Sequence, residues 1–74
     1  MQVVVKLFAS FREGRFKVEA RQVFPGSTVA MVLADLGLPE EEIGVLLVNG
    51  RHAEPDQQLN DGDTCAVFPQ IGGG

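Results

Sequence analysis

Alternating apolar and polar residues predict a β-hairpin at the start of the chain, because successive side chains of a strand point to opposite faces. In residues 2–9, one face would hold the apolar side chains of Val3, Val5, Leu7 and Ala9. Residues 15–24 alternate again, with Phe16, Val18 and Ala20 opposing Lys17, Glu19 and Arg21. Gly14 lies between the two runs and can adopt the positive φ that a turn requires. We therefore expect an antiparallel hairpin with one buried face.

A single helix is predicted after the hairpin, because apolar residues then recur at spacings of three and four. This stripe consists of Val29, Val32, Leu33 and Leu36. Ser27 or Thr28 is suited to cap its first turn. Gly37 occupies the usual position after a helix, and Pro39 prevents its continuation. The helix should span roughly ten residues.

Two further strands complete the predicted fold. Residues 43–48 form an apolar run that ends at Asn49-Gly50, a strong turn signal, and residues 51–53 could add a short strand. Residues 64–68 form the closing strand, which can lie parallel to the first because the helix crosses over between them. This order predicts an α+β protein with a ubiquitin-like β-grasp fold, in which one main helix packs across a mixed sheet of four or five strands. The domain would span residues 1–70, and residues 71–74 would form a flexible glycine tail.

Composition and charge narrow the classes of function. The chain has 74 residues and a formal net charge of −4, which argues against nucleic-acid binding, since that needs clustered Lys and Arg. No apolar run approaches the roughly 20 residues of a membrane span. Cys65 is the single cysteine, so neither an intramolecular disulfide nor a cysteine-based metal cluster is possible. We expect a cytoplasmic protein without a metal site.

The sequence ends in Gly72, Gly73 and Gly74, which would place a free carboxylate on a segment without side chains. An α-carboxylate is an unreactive anion at neutral pH, and ATP could activate it as an acyl-adenylate. Glycine suits such a reaction, because it adds no bulk beside the attacked carbonyl. An inert tail, a linker remnant or a truncated end is the simpler alternative.

Several motifs resemble those of the MoaD/ThiS family of ubiquitin-like sulfur carriers, and of MoaD more than ThiS. In chain order they are Leu7-Phe8-Ala9 with Phe11-Arg12-Glu13, Leu47-Val48-Asn49-Gly50-Arg51, Leu59-Asn60-Asp61-Gly62-Asp63, and Val67-Phe68-Pro69 followed by Gly73-Gly74. They cover most of the length. The chain departs at its end, where Gln70-Ile71-Gly72 stands in place of the Pro-Val-Ala typical of MoaD proteins.

The resemblance implies a carrier rather than an enzyme, with no bound cofactor. An adenylating enzyme of the ubiquitin-activating type would use ATP on Gly74, and sulfur would then replace AMP to give a thiocarboxylate. Gly73 would belong to the same reactive end as Gly74. Gly72 would belong to the tail, which would allow Gly74 to enter the active site of a partner. The sulfur would pass to a pterin bound by a catalytic subunit of the molybdopterin synthase type, for a molybdenum or tungsten cofactor.

Three alternatives remain open at this point. A ThiS-like carrier would instead serve thiazole synthase in thiamine synthesis. A ubiquitin-like modifier would be joined through Gly74 to lysines of target proteins. A third possibility is an interaction module whose glycine tail is inert.

A docking face is predicted on the side of the sheet away from the core. If Cys65 and Val67 point into the core, Ala66 and Phe68 point outward, on the face that carries Phe8 when the first and last strands are neighbours. Leu59 could lie at the rim of this face. An outward apolar cluster on so small a sheet suggests a partner surface. The resemblance agrees, because Phe8, Leu59 and Phe68 match apolar contact positions of MoaD.

Two other residues are expected to carry no chemistry. Cys65 lies within a strand and is expected to be a buried, inert thiol. His52 lies in a polar segment without a nearby nucleophile or second metal ligand, and we expect it to be exposed to solvent.

Overall fold

The computed structural model describes residues 1–70 and contains a five-stranded mixed sheet with one α-helix. The strands are β1 (Gln2–Leu7), β2 (Val18–Gln22), β3 (Ile43–Val48), β4 (Arg51–His52) and β5 (Thr64–Pro69), and the helix is α1 (Val29–Asp35). Their order in the sheet is β2-β1-β5-β3-β4. β1 and β5 pair in parallel, whereas the other neighbours are antiparallel. The predicted β-grasp fold is confirmed. The predicted tail, residues 71–74, lies outside the described residues.

Both ends of α1 are fixed by the residues that the sequence indicated. Thr28 is the N-cap, and its hydroxyl accepts a hydrogen bond of 3.3 Å from the Met31 amide. Gly37 follows the helix with φ of 72°, a conformation that glycine adopts without steric cost. The Leu38 amide then donates to the Leu33 carbonyl at 2.9 Å, which closes a Schellman motif. The helix has seven residues, fewer than expected. Within residues 1–70, no helix is long and apolar enough to cross a membrane.

The hydrophobic core lies between α1 and one face of the sheet. Its buried side chains come from the three central strands, β1, β5 and β3, and from α1. They are Val3, Val5, Leu7, Val29, Val32, Leu33, Leu46, Val48, Cys65 and Val67. Phe11 joins them from a 3-10 turn over residues Ala9–Arg12, a turn that the sequence pattern did not predict. Alternation in β1 and β5 therefore assigns the core face correctly, except that Ala9, which was expected on this face, lies in the turn after β1 and is exposed.

The prediction that Val18 and Ala20 of β2 point into the core is wrong. The register pairs Val4 with Ala20 and Lys6 with Val18, and directly opposed residues share a face of the sheet. Val18 and Ala20 therefore lie away from the core, and Val18 is 55% exposed. No residue of β2 is buried, so its register follows the pairing with β1 rather than its own apolar pattern.

The predicted position of Leu59 at the rim of the outward face is also wrong. Leu59 is only 3% exposed and belongs to the core. Its amide donates to the Ser27 carbonyl at 2.9 Å, and the Val29 amide donates to the Gln57 carbonyl at 3.0 Å. The segment before β5 is thus bonded to the start of α1, and this contact directs Leu59 into the core.

Candidate functional site: the outer sheet face and the end of β5

The face of the sheet opposite α1 carries an apolar patch that no described element covers. We call it the outer face, and its apolar residues are Val4, Phe8, Val45, Leu47, Ala66 and Phe68. The Phe8 and Phe68 rings lie parallel, with their centroids 4.1 Å apart and their planes 8° apart. The structure thus brings the two predicted partner-binding phenylalanines together, and their role in binding stays a prediction. Leu59, the third residue of that prediction, lies in the core instead.

Arg12 adds a positive charge to the outer face. Its guanidinium carbon lies 5.1 Å from the centroid of the Phe8 ring, within the range of a cation–π interaction. Its Nε donates to the Leu7 carbonyl at 2.7 Å, which fixes the side chain along the sheet. The 3-10 turn after Phe8 brings Arg12 back over the Phe8 ring. Because the sequence pattern did not predict this turn, it did not predict the contact between Arg12 and Phe8 either.

The end of β5 is held against the start of β3. The Gln70 amide donates to the Glu42 carbonyl at 3.0 Å, and the Gln70 side-chain amide donates to the Glu41 carbonyl at 3.1 Å. Gly44 lies at an irregularity of the β3–β5 register. A Cβ atom added there would lie 2.7 Å from the Pro69 carbonyl oxygen. Sequence reasoning missed this contact, although a glycine inside a strand is a known signal of close backbone approach.

The predicted reactive end follows this contact in the sequence. Gly72, Gly73 and Gly74 are outside the described residues, so the described structure reaches the site only as far as Gln70. Phe68 is two residues before Gln70 in the sequence. The outer face and the segment that leads to the glycines are therefore adjacent along β5.

The remaining candidates carry no visible reactive arrangement. Cys65 is 1% exposed, and burial, with a smaller contribution from the negative charge of Asp63, raises the pKa of its thiol to about 11. The thiol is therefore protonated at neutral pH, and an unreactive thiol is what we expected here. His52 is exposed on β4. Among residues 1–70, no three His, Cys, Asp or Glu side chains lie together in a way that could hold a metal.

The sheet order, the helix across one face and the apolar opposite face define a ubiquitin-like β-grasp protein. The ThiS family model matches residues 5–74, and the chain belongs to this family. The predicted resemblance to the MoaD/ThiS family is thereby confirmed. The match extends through the final glycines. A comparison with curated protein sequences found no match.

Solved structures of related proteins agree with this assignment. The chain is 27% identical to SAMP1, a small archaeal modifier protein of Haloferax volcanii, with a TM-score of 0.79 over 100% of both chains. It is also 27% identical to a putative molybdopterin converting factor subunit 1 of Pyrococcus furiosus, with a TM-score of 0.79 over 96% of this chain and 99% of that one. One chain in the solved complex of subunits 1 and 2 of the molybdopterin-converting factor of Helicobacter pylori is 20% identical to this chain, with a TM-score of 0.69 over 100% of both chains. At that identity the likeness shows the fold alone.

Proposed function

We propose that this protein is a sulfur carrier whose Gly74 carboxylate is adenylated and then converted to a thiocarboxylate for the synthesis of a pterin-based molybdenum or tungsten cofactor. The observation that carries this proposal is the position of the outer face, which ends at Phe68, directly before the segment that leads to the glycines. A partner bound to the Phe8–Phe68 pair would have Gly74 within reach. The relative named molybdopterin converting factor subunit 1 supports the choice of pathway.

The chemistry needs two steps at the Gly74 carboxyl group. A carboxylate oxygen attacks the α-phosphorus of ATP, and pyrophosphate leaves, so that an acyl-adenylate forms. A hydrosulfide ion then attacks the carbonyl carbon, and AMP leaves with the bonding electron pair. The resulting thiocarboxylic acid releases its proton to water, and a thiocarboxylate remains. Glycine at positions 73 and 74 leaves the carbonyl open to attack, since neither residue has a side chain.

Two partners follow from this proposal. The first is an adenylating enzyme of the ubiquitin-activating type, which would bind the ATP. The second is a catalytic subunit of the molybdopterin synthase type, a choice supported by the solved complex of subunits 1 and 2 of the molybdopterin-converting factor from Helicobacter pylori, in which one chain has the same fold. In both complexes we expect the outer face to make the contact, with Phe8 and Phe68 at its centre.

Intact mass spectrometry tests the reaction directly. After incubation with the adenylating enzyme from the same genome, ATP and sodium hydrosulfide, the protein should gain about 16 Da, the mass difference between sulfur and oxygen. A variant that lacks Gly74 is the control and should gain nothing. An unchanged mass of the wild-type protein would contradict the proposal.

A protein modifier is the second candidate, and the likeness to SAMP1 over the full length of both chains favours it. In that case the activated Gly74 carbonyl would form an amide bond with a lysine of a target protein. Incubation with a lysate and ATP would then give high-mass adducts that depend on Gly74. A sulfur carrier for thiazole synthase is the third candidate, which the ThiS family match favours. Transfer of sulfur from the isolated thiocarboxylate to a thiazole synthase rather than to a molybdopterin synthase would identify it.

A further inference from the structure

Gln70 is the last described residue, and both of its amide groups are bound to the 3-10 turn Glu40–Glu42 that precedes β3. We propose that the Glu41 and Glu42 carbonyls and the space left by Gly44 form an exit clamp that sets where the glycine segment leaves the domain. Gly44 and Gln70 are then positioning residues for the reaction at Gly74. This inference rests on the proposed function, because it assigns a role in the activation of Gly74.

The hydrogen bonds of Gln70 extend the contact of β5 past the end of the strand. Pro69 pairs with Ile43 as the last residue of the β3–β5 register. The Gln70 amide continues the contact by donating to the Glu42 carbonyl at 3.0 Å, and its Nε2 donates to the neighbouring Glu41 carbonyl at 3.1 Å. One residue therefore bonds two consecutive carbonyls, and this fixes both its backbone and its side chain. A proline at position 70 would remove both donors.

Gly44 provides the space that this contact needs. An added Cβ would lie 2.7 Å from the Pro69 carbonyl oxygen and 2.9 Å from the Gln70 Cα. Both neighbours are backbone atoms, so they cannot move aside by a change of rotamer. Gly44 has no positive φ, which means that glycine is needed here for close approach and not for its conformational freedom. An alanine would push Pro69 and Gln70 away from β3.

The clamp limits the region that Gly74 can reach. Four residues follow Gln70 in the sequence, and four extended residues span at most about 14 Å. If the contact of Pro69 and Gln70 were lost, the segment beyond the last fixed residue would gain two residues. Its end would be spread over a larger volume, and the effective concentration of the carboxylate at a fixed active site would fall. Binding strength would still come from the outer face.

This separation of roles predicts different kinetic effects for the two regions. We would measure ATP–pyrophosphate exchange by the adenylating enzyme with full-length protein as the varied substrate. Gly44→Ala should lower kcat about two- to fivefold with KM unchanged, since only the delivery of Gly74 is affected. Phe8→Ala should instead raise KM. Gln70→Ala removes only the side-chain bond to Glu41 and keeps the backbone donor, so it should lower kcat less than Gly44→Ala does.

A matched control removes a similar surface hydrogen bond far from the clamp. The side-chain amide of Gln22 donates to the Gln2 side chain at 3.2 Å on the β1–β2 edge of the sheet. Gln22→Ala should leave both kcat and KM unchanged. Amide hydrogen exchange gives a readout that does not depend on activity: the Gln70 amide should exchange several times faster in Gly44→Ala than in the wild-type protein.

The outcomes separate the clamp from the proposed function. Wild-type kcat in both Gly44→Ala and Gln70→Ala, or a change in KM alone, would overturn the clamp while leaving the sulfur-carrier proposal intact. If the wild-type protein is not adenylated at all, the proposed function fails and the clamp falls with it. If Gly44→Ala does not fold, Gln70→Ala decides, because the exposed side-chain bond that it removes lies at the end of the described chain, outside the core.

Discussion

The two faces of β1 and β5 are both rich in apolar residues, yet only one of them is covered. Val3, Val5 and Leu7 are 0% exposed beneath α1, whereas Val4 and Phe68 on the opposite side are only half-buried. A small domain has too little chain to cover both faces of its sheet. The helix-covered face accounts for folding, and the outer face keeps apolar surface that a partner can bury.

The outer face is also not uniform from one edge to the other. At its β5 side, the Phe8 and Phe68 rings stack on each other, and Arg12 lies over Phe8. At its β2 side, Val18 is 55% exposed and its cross-strand partner is Lys6. Aromatic residues and Arg are enriched in protein interfaces, whereas Lys is depleted. We therefore expect the centre of docking to lie near Phe68 rather than near Val18.

Adjacent valines of β1 give the most direct test of the difference between the faces. Val5→Ala removes a side chain that is 0% exposed, and it should lower the free energy of unfolding by about 2–3 kcal/mol through lost burial and a cavity. Val4→Ala removes the same atoms from the outer face and should cost about 1 kcal/mol or less. Urea denaturation measures both values. The two variants share the change in strand propensity, so equal losses would mean that the outer face is as well packed as the core.

The pH dependence of stability tests whether Cys65 is buried on the helix-covered face. Burial raises the pKa of its thiol from 9.0 to about 11, so the unfolded chain loses this proton at a lower pH than the folded protein does. Between pH 9 and 11 the unfolded state binds fewer protons, and stability must fall as pH rises. The protonated thiol makes its full contribution to the free energy of unfolding below pH 9, and the loss of this contribution is on the order of 2–3 kcal/mol by pH 11.

The control for this pH dependence is Cys65→Ala. Urea denaturation at pH 8 and pH 10.5 should give a steeper loss for the wild-type protein than for the variant, since other alkaline titrations are common to both. If the two proteins lose the same free energy of unfolding, the thiol has the same pKa in the folded and unfolded states, which would contradict the raised pKa of Cys65.

Local signals in the sequence were sufficient for the elements whose contacts are also local. Thr28 and Gly37 mark the ends of α1 because capping depends on residues within one turn. Alternation in β1 assigned its faces, because this strand is central and one side of it must enter the core. The Phe8–Phe68 pair followed from the same alternation in two strands, once β1 and β5 were expected to be neighbours.

The errors fall where long-range contacts decide the structure. β2 is an edge strand with no buried residue, so its apolar pattern does not select a register. Leu59 lies alone in a polar segment, and the bonds between this segment and the start of α1, far away in sequence, place it in the core. The contact of Gly44 with Pro69 is of the same kind. Periodicity cannot detect a single residue that meets a distant segment.

Phe68→Ala tests whether the centre of the outer face binds partners. We expect its affinity for the catalytic subunit to fall at least tenfold, about 1.4 kcal/mol, as at an aromatic hot spot. The free energy of unfolding should fall by only about 1 kcal/mol, mostly through loss of the stacking with Phe8. Calorimetry measures the first effect and urea denaturation the second. A loss of stability above roughly 3 kcal/mol would show that Phe68 behaves as a core residue.

Val18→Ala is the matched variant at the other side of the outer face, and its effect should be the smallest. The side chain is 55% exposed on an edge strand, so the free energy of unfolding should change by less than about 0.5 kcal/mol. Affinity for the same subunit should also stay within about twofold of wild type, because contacts at the rim of an interface contribute little. A fall comparable to that of Phe68→Ala would instead extend the docking surface across β1 to β2. The register that places Val18 on the outer face would then matter for binding as well as for the fold.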